Sequence, residues 1–183
     1  MGGRNKKKKQ QTQSKKTKTE KFIPSQANKL TPHSVIKLDP RSYSKKAYDA
    51  MYEMITKNED NYFIAEKYHK KASGLVRSLP SYISTWGLHR LSGDASNFLA
   101  KTVEDTNYKG KVYRKFLQNL ESFKVADFDV EDDRSLLGLS LREYTGLNRL
   151  AIKLAKEWSF WSGSILGEPE DDKENIAEKV NSN

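Results

Sequence analysis

The chain has 183 residues, a hydrophobic fraction of 36% and a formal net charge of +9; this length allows one domain with a buried core, and the low apolar fraction predicts unstructured ends. It contains no cysteine, which excludes disulfides, thiolate catalysis and cysteine-based zinc sites. Since no apolar run approaches the length of a membrane span, we expect a cytoplasmic protein without membrane contact.

The charge is unevenly distributed along the chain. Residues 1–46 hold 14 Lys and Arg against two acidic residues, 47–167 hold 17 bases and 16 acids, and 168–183 hold two bases and six acids. We therefore predict a disordered basic arm over 1–41, a folded domain over 42–167 and a disordered acidic tail over 168–183. The arm fits either a nucleic-acid contact or a simple solubility tail.

Helical periodicity accounts for the central part of the chain. The first helix is predicted to begin near 42–44, after Pro40, and to run to about residue 57. The second covers 61–79, where Pro80 either stops it or starts a new turn at a bend. A helical turn to Thr85 and a further helix over 88–103 follow.

Two more helices are predicted over 108–123 and 141–166. The last has the clearest boundaries, because Ser140 and Glu143 form a capping-box pattern and Gly167 follows its end. No segment shows the strict alternation of a strand. The sequence therefore predicts an all-α fold, a compact bundle of about five to six helices.

Three of these helices carry their cations opposite their apolar residues, at about 100° per residue. Every surface helix has a solvated charged side, but three sorted in this way also predict a surface that follows a phosphate backbone. Arg90 joins them because it lies beside Trp86, which is predicted to point inward but could instead meet RNA or another subunit. The candidate RNA-binding residues are Lys67, Lys70, Lys71, Arg77, Arg90, Lys111, Arg114, Lys115, Arg149 and Lys153. Arg142 and Lys156 lie on the same side of the last helix.

Patterns that support catalysis are missing from the sequence. His33, His69 and His89 are isolated, without the spacing of metal ligands or an evident carboxylate to orient a general base. Residues 127–133 are interpreted as an acidic loop, since a calcium loop would need a central Gly and a terminal Glu. We therefore expect no catalytic residue, metal ion or cofactor.

Two segments resemble a known family. Leu-Pro-Ser-Tyr-Ile-Ser-Thr-Trp-Gly-Leu at 79–88 is similar to the Leu/Phe-Pro-x-x-Ile-x-x-Asn-Gly-Leu bend of the small α-helical subunit of type III-B (Cmr) CRISPR effector complexes. The stretch over 144–158 resembles the final helix of that family, and Lys-Lys-Ala-Tyr at 45–48 fits its first helix. The resemblance covers about 42–166. It departs from the family pattern at Trp86, where Asn is usual, and at 92–94.

The resemblance implies a non-catalytic subunit of a cytoplasmic ribonucleoprotein for antiviral defence. Copies of such a subunit stack beside the other CRISPR effector subunits, and their basic side contacts the target-RNA backbone in the guide RNA–target RNA duplex. Two alternatives remain open from the residues themselves. The chain could be a free-standing helical nucleic-acid-binding protein that uses its Lys-rich arm, or a protein–protein adaptor.

Overall fold

The computed structural model describes Gly2 and residues 39–56 and 63–169. It contains five α-helices, α1 Pro40–Ile55, α2 His69–Trp86, α3 Leu88–Leu99, α4 Glu104–Glu121 and α5 Leu141–Leu166, with 3₁₀ turns at Glu66–Tyr68 and Ser135–Gly138. No strand occurs in these described ranges. The predicted all-α bundle is confirmed. Apart from Gly2 and their inner ends, the predicted arm and tail lie outside the described residues.

Local capping decides where the first and last helices begin. Helix α1 starts at Pro40, earlier than predicted, because the Asp39 carboxylate accepts the Arg41 backbone N–H at 2.9 Å and caps the helix. Helix α5 starts as predicted, with Ser140 and Glu143 bonded in the reciprocal capping box. It ends at Gly167, whose φ of +87° suits glycine.

Helix α2 continues through Pro80, where the sequence predicted a stop or a bend. Proline has no N–H, so the helix loses one backbone hydrogen bond there. Ser84 Oγ donates to the Pro80 carbonyl oxygen at 2.7 Å on the solvent side of the helix. Leu79 and Ile83, on either side of the proline, are fully buried. We infer that packing of this apolar side holds the two parts of α2 in one helix.

Helix α5 lies at the centre of the bundle and packs against α1 and α2, while α3 packs chiefly on α4. Trp158 of α5 is fully buried and meets Phe116 of α4 edge to face, at 5.2 Å between ring centroids. Its indole N–H donates to Asn119 Oδ1 at 2.9 Å, and Asn119 Nδ2 donates to the Lys46 carbonyl oxygen at 3.2 Å. This one amide therefore joins α1, α4 and α5.

Candidate nucleic-acid interface

Most of the predicted RNA-binding cations are paired with carboxylates. Lys67 Nζ lies 2.5 Å from Glu104 Oε2, Lys71 Nζ 3.0 Å from Asp105, and Arg77 Nη2 2.6 Å from Glu168. Exposed ion pairs of this kind contribute little stability, but each carboxylate offsets the positive potential of its cation. Six of the ten predicted residues lie within 4 Å of a carboxylate, namely Lys67, Lys71, Arg77, Arg90, Arg114 and Lys115.

Arg114 is buried, so its placement on an RNA-binding surface was wrong. Its residue is only 8% exposed, and its Nη2 donates to Ser96 Oγ at 2.8 Å. Ser92 and Ser96 in turn donate to Asp133 Oδ1, at 2.9 and 2.8 Å. Arg114 therefore helps to fasten the acidic loop to α3 and α4, and α3 and this loop cover the position of Arg114, which was predicted to face solvent.

The Trp86 side chain points outward, contrary to the prediction. It is 56% exposed, and the Arg90 guanidinium carbon lies 5.8 Å from the centroid of its ring. Arg90 Nε is also 3.7 Å from Asp94 Oδ1, and Asp94 accepts a short hydrogen bond from the Tyr82 hydroxyl. Burial is the main cause that raises the pKa of Tyr82, and the hydrogen bond to Asp94 is the next. The Tyr82 hydroxyl is therefore protonated at neutral pH and donates this hydrogen bond.

Four cations on the outer side of α5 lie in one row, which we call the α5 basic stripe: Arg142, Arg149, Lys153 and Lys156. All four are exposed, and at about 100° per residue they fall within about 60° of one another, opposite the buried residues. Among residues 39–56 and 63–169, none of them has a carboxylate within 4 Å. At about 1.5 Å per residue the stripe is about 21 Å long.

The stripe contains only two of the ten predicted contacts, Arg149 and Lys153. Arg142 and Lys156 lie on the same side of the helix but are not among the ten. Lys70 of α2 is also exposed, and no ion pair to it occurs in the described parts of the chain. Lys111 is half-buried, with its Nζ 5.9 Å from the centroid of the Phe63 ring.

An exposed aromatic residue continues the stripe towards the end of α5. Phe160, four residues after Lys156, is 72% exposed and so lies on the same side of the helix. Its ring meets Trp161 edge to face at 4.9 Å, and Trp161 meets Tyr48 of α1 at 5.2 Å. Phe160 is not among the residues predicted from the sequence, although its spacing from the cations and its distance from the apolar side were readable there.

The geometry of the stripe suits an extended polyanion. A row of about 21 Å is long enough to contact several phosphates of a nucleic-acid backbone. Cations spaced along one straight element can neutralise successive phosphates without reading the bases.

The described histidines take part in local hydrogen bonds. His69 Nε2 lies 3.0 Å from the Ile64 carbonyl oxygen, and His89 Nδ1 lies 2.8 Å from the Tyr144 hydroxyl. Within the described residues, no three His, Asp or Glu side chains come together as a metal site would require. The same part of the chain contains no helix with the length and apolarity needed to cross a membrane. No protein-family model, curated protein or solved structure matches the chain.

Proposed function

We propose that this protein is a non-catalytic, RNA-binding small subunit of a type III (Cmr-type) CRISPR effector complex, and that it holds the RNA backbone along the α5 basic stripe. The observation that carries the proposal is the row of four exposed cations opposite the core, none of which has a carboxylate within 4 Å in the described ranges. Sequence-independent phosphate binding needs a surface of this kind.

The meeting of the two family-like segments supports the more specific part of the proposal. Gly87, the penultimate residue of the segment 79–88, has a φ of +79°, and a Cβ placed there would lie 2.5 Å from the Tyr144 hydroxyl oxygen. The Leu88 backbone N–H donates to Asn148 Oδ1 at 3.2 Å. Both partners belong to the stretch 144–158, so the residues that carry the resemblance form one contact between α2, α3 and α5.

The salt dependence of RNA binding tests the stripe. We would compare the full chain with a triple variant, Arg149→Gln, Lys153→Gln and Lys156→Gln, by fluorescence anisotropy on a labelled 20-base-pair RNA duplex between 50 and 200 mM salt. Each lost phosphate contact lowers the slope of log K against log salt by about 0.9 on a duplex, so the slope should fall by about 2 to 3.

A matched control separates the stripe from general charge. The triple variant Lys67→Gln, Lys71→Gln and Arg90→Gln changes the net charge equally, but its three cations already have carboxylate partners. We expect its slope to fall by less than about 1. Equal losses in the two variants would contradict the stripe and favour the alternative in which the Lys-rich arm supplies the affinity.

Membership of an effector complex needs a separate experiment. The tagged chain, purified from its native cells, should bring with it larger subunits and small RNAs of uniform length. The adaptor alternative draws support from Leu137 and Leu141, two exposed leucines near the start of α5. If the partners stay bound after complete nuclease digestion and no uniform RNA copurifies, the adaptor is the better interpretation.

A further inference from the structure

We infer that the surface at the end of the α5 basic stripe binds unpaired RNA bases, by stacking them on an exposed aromatic cluster. The cluster consists of Tyr48, Tyr52, Phe160 and Trp161. This inference rests on the proposed function and makes it more specific: RNA held by the stripe would be single-stranded where it reaches the cluster.

The rings form one connected surface across α1 and α5. Tyr48 and Tyr52 lie parallel, with 6.2 Å between centroids and 7° between planes, and Tyr48 continues edge to face into Trp161 and then Phe160. Tyr52 is 53% exposed and Tyr48 40%. Trp161 is held in place, since its indole N–H donates to Ser44 Oγ at 2.9 Å. The two outermost rings, Tyr52 and Phe160, therefore stand on a fixed base with their surfaces in solvent.

The charges around the cluster favour a polyanion. Lys156 lies one helical turn before Phe160, and Lys153 lies one turn further back. Three carboxylates lie beside cluster residues in the sequence or on the same helix: Asp49 accepts a hydrogen bond from Lys45 at 2.6 Å, Glu53 pairs with Lys115, and Glu157 is half-buried one turn before Trp161. The cations closest to Phe160 along α5 belong to the stripe, which has no described ion pair. A phosphate backbone on the stripe would thus deliver its bases to the rings.

Unpaired bases fit this surface better than a duplex does. In a duplex the base faces are covered by their neighbours, so they have no free π-surface for a protein ring. Proteins that bind single strands without sequence preference combine a basic track with exposed aromatic residues. The α5 stripe and the aromatic cluster have this combination on adjoining parts of one surface.

The test compares three ligands of equal length with the full chain: a 20-nucleotide oligoadenylate, the same strand with abasic sites at every position, and a 20-base-pair RNA duplex. The test variant combines Tyr52→Ala with Phe160→Ala. A separate variant, Phe160→Trp, keeps an aromatic ring at position 160. Trp86→Ala is the matched control, because Trp86 is equally exposed but lies at the junction of α2 and α3. Circular dichroism and thermal unfolding check that each variant is folded.

We expect the double variant to bind oligoadenylate about five-fold or more weakly, with affinity for the abasic strand and the duplex unchanged. Phe160→Trp should bind at least as tightly as the parent, and Trp86→Ala should bind like the parent. No loss on oligoadenylate, or an equal loss on all three ligands, would overturn the inference. So would unchanged RNA binding with altered self-association in sedimentation, which would make the cluster a protein contact.

The two proposals fail in different ways. If neutralising Arg149, Lys153 and Lys156 leaves binding of every ligand unchanged, the stripe itself is refuted. If that variant loses affinity and salt dependence as expected, while the aromatic variant does not, only the stacking inference is refuted.

Discussion

Replacement of Gly110 by alanine should destabilise the fold. A Cβ at this position in α4 would lie 2.7 Å from the Leu99 backbone nitrogen and 2.9 Å from the Ala95 carbonyl oxygen of α3. Both are backbone atoms, so α3 would have to move as a unit by roughly half an ångström or more to restore ordinary contact. Overpacking costs about 1–3 kcal/mol, and we take the upper end because no side chain can turn aside.

The helix propensity of alanine offsets part of this cost. Glycine is about 1 kcal/mol less favourable than alanine inside a helix, so the net destabilisation should be about 2 kcal/mol. For a folded body of this size, about 4 °C of melting temperature corresponds to 1 kcal/mol. Thermal unfolding of Gly110→Ala, followed by circular dichroism, should therefore show a melting temperature about 8 °C lower than that of the parent.

Gly146→Ala is the matched control for this prediction. Gly146 lies in the interior of α5 and is exposed, and a Cβ added there would meet no atom within 4 Å apart from its own helix and chain neighbours. The same substitution should here stabilise the protein by about 0.5–1 kcal/mol. The close approach of α3 and α4 is refuted if the melting temperature of Gly110→Ala is not below that of the parent, or if it equals that of Gly146→Ala.

Three further outcomes follow from individual contacts. Asn119→Ala should lower the free energy of unfolding by about 1–3 kcal/mol in urea titrations, since it leaves the buried Trp158 N–H without an acceptor and the Lys46 carbonyl oxygen without its side-chain donor. An unchanged free energy of unfolding would contradict these hydrogen bonds. Ser140→Ala should cost about 1 kcal/mol in the same assay, because it removes the side-chain cap of α5; no change would contradict the cap. Lys67→Met should raise the pKa of Glu104, which the Lys67 hydrogen bond holds below 4.5, in an NMR titration of the carboxyl group.

The sign of the last effect follows from linkage. A carboxylate whose pKa is lower in the folded state stabilises the fold above its unfolded pKa, and this contribution is lost as the pH falls through the folded value. The ion pair therefore stabilises the fold only while Glu104 is ionised, and this contribution is lost in the acid range, where Glu104 becomes protonated. In Lys67→Met this part of the acid sensitivity should disappear, and an unchanged Glu104 titration would show that the pair does not form in solution.

The difference between the paired cations of α2 and the unpaired cations of α5 indicates which helix the proposed RNA path follows. Arg77 of α2 is occupied by Glu168, which follows the end of α5, and also approaches Ser162 Oγ at 3.3 Å. An RNA strand would have to displace that carboxylate to reach Arg77. No such displacement is needed at Lys153 or Lys156 among the described residues, which is why the proposed RNA path follows α5.

Local patterns in the sequence predicted the all-α fold and most of the buried side of each helix, although α2 begins at His69 rather than at 61, and Arg114 and Trp86 were placed on the wrong side. The capping box at Ser140 and the glycine at 167 placed both ends of α5 correctly, because these signals act within one turn of the helix. The apolar periodicity of 108–123 also held, since the residues that it places on the inner side are all buried: Val112, Tyr113, Phe116, Leu117, Leu120 and Phe123. The helix does not stop at Pro80, one of the two outcomes predicted there. The loss of one hydrogen bond is a local effect, whereas the packing of Leu79 and Ile83 comes from the rest of the bundle.

Only the tertiary structure decided which cations remain available. Periodicity alone placed Arg114 and Arg149 in the same class, each on the charged side of its helix. In the fold, α3 and the acidic loop cover Arg114, while nothing in the described chain pairs with Arg149. The carboxylates that pair with Lys67 and Arg77 are 37 and 91 residues away in sequence. A charged residue's partner is set by how helices pack, and side-chain spacing along one helix contains no information about the next.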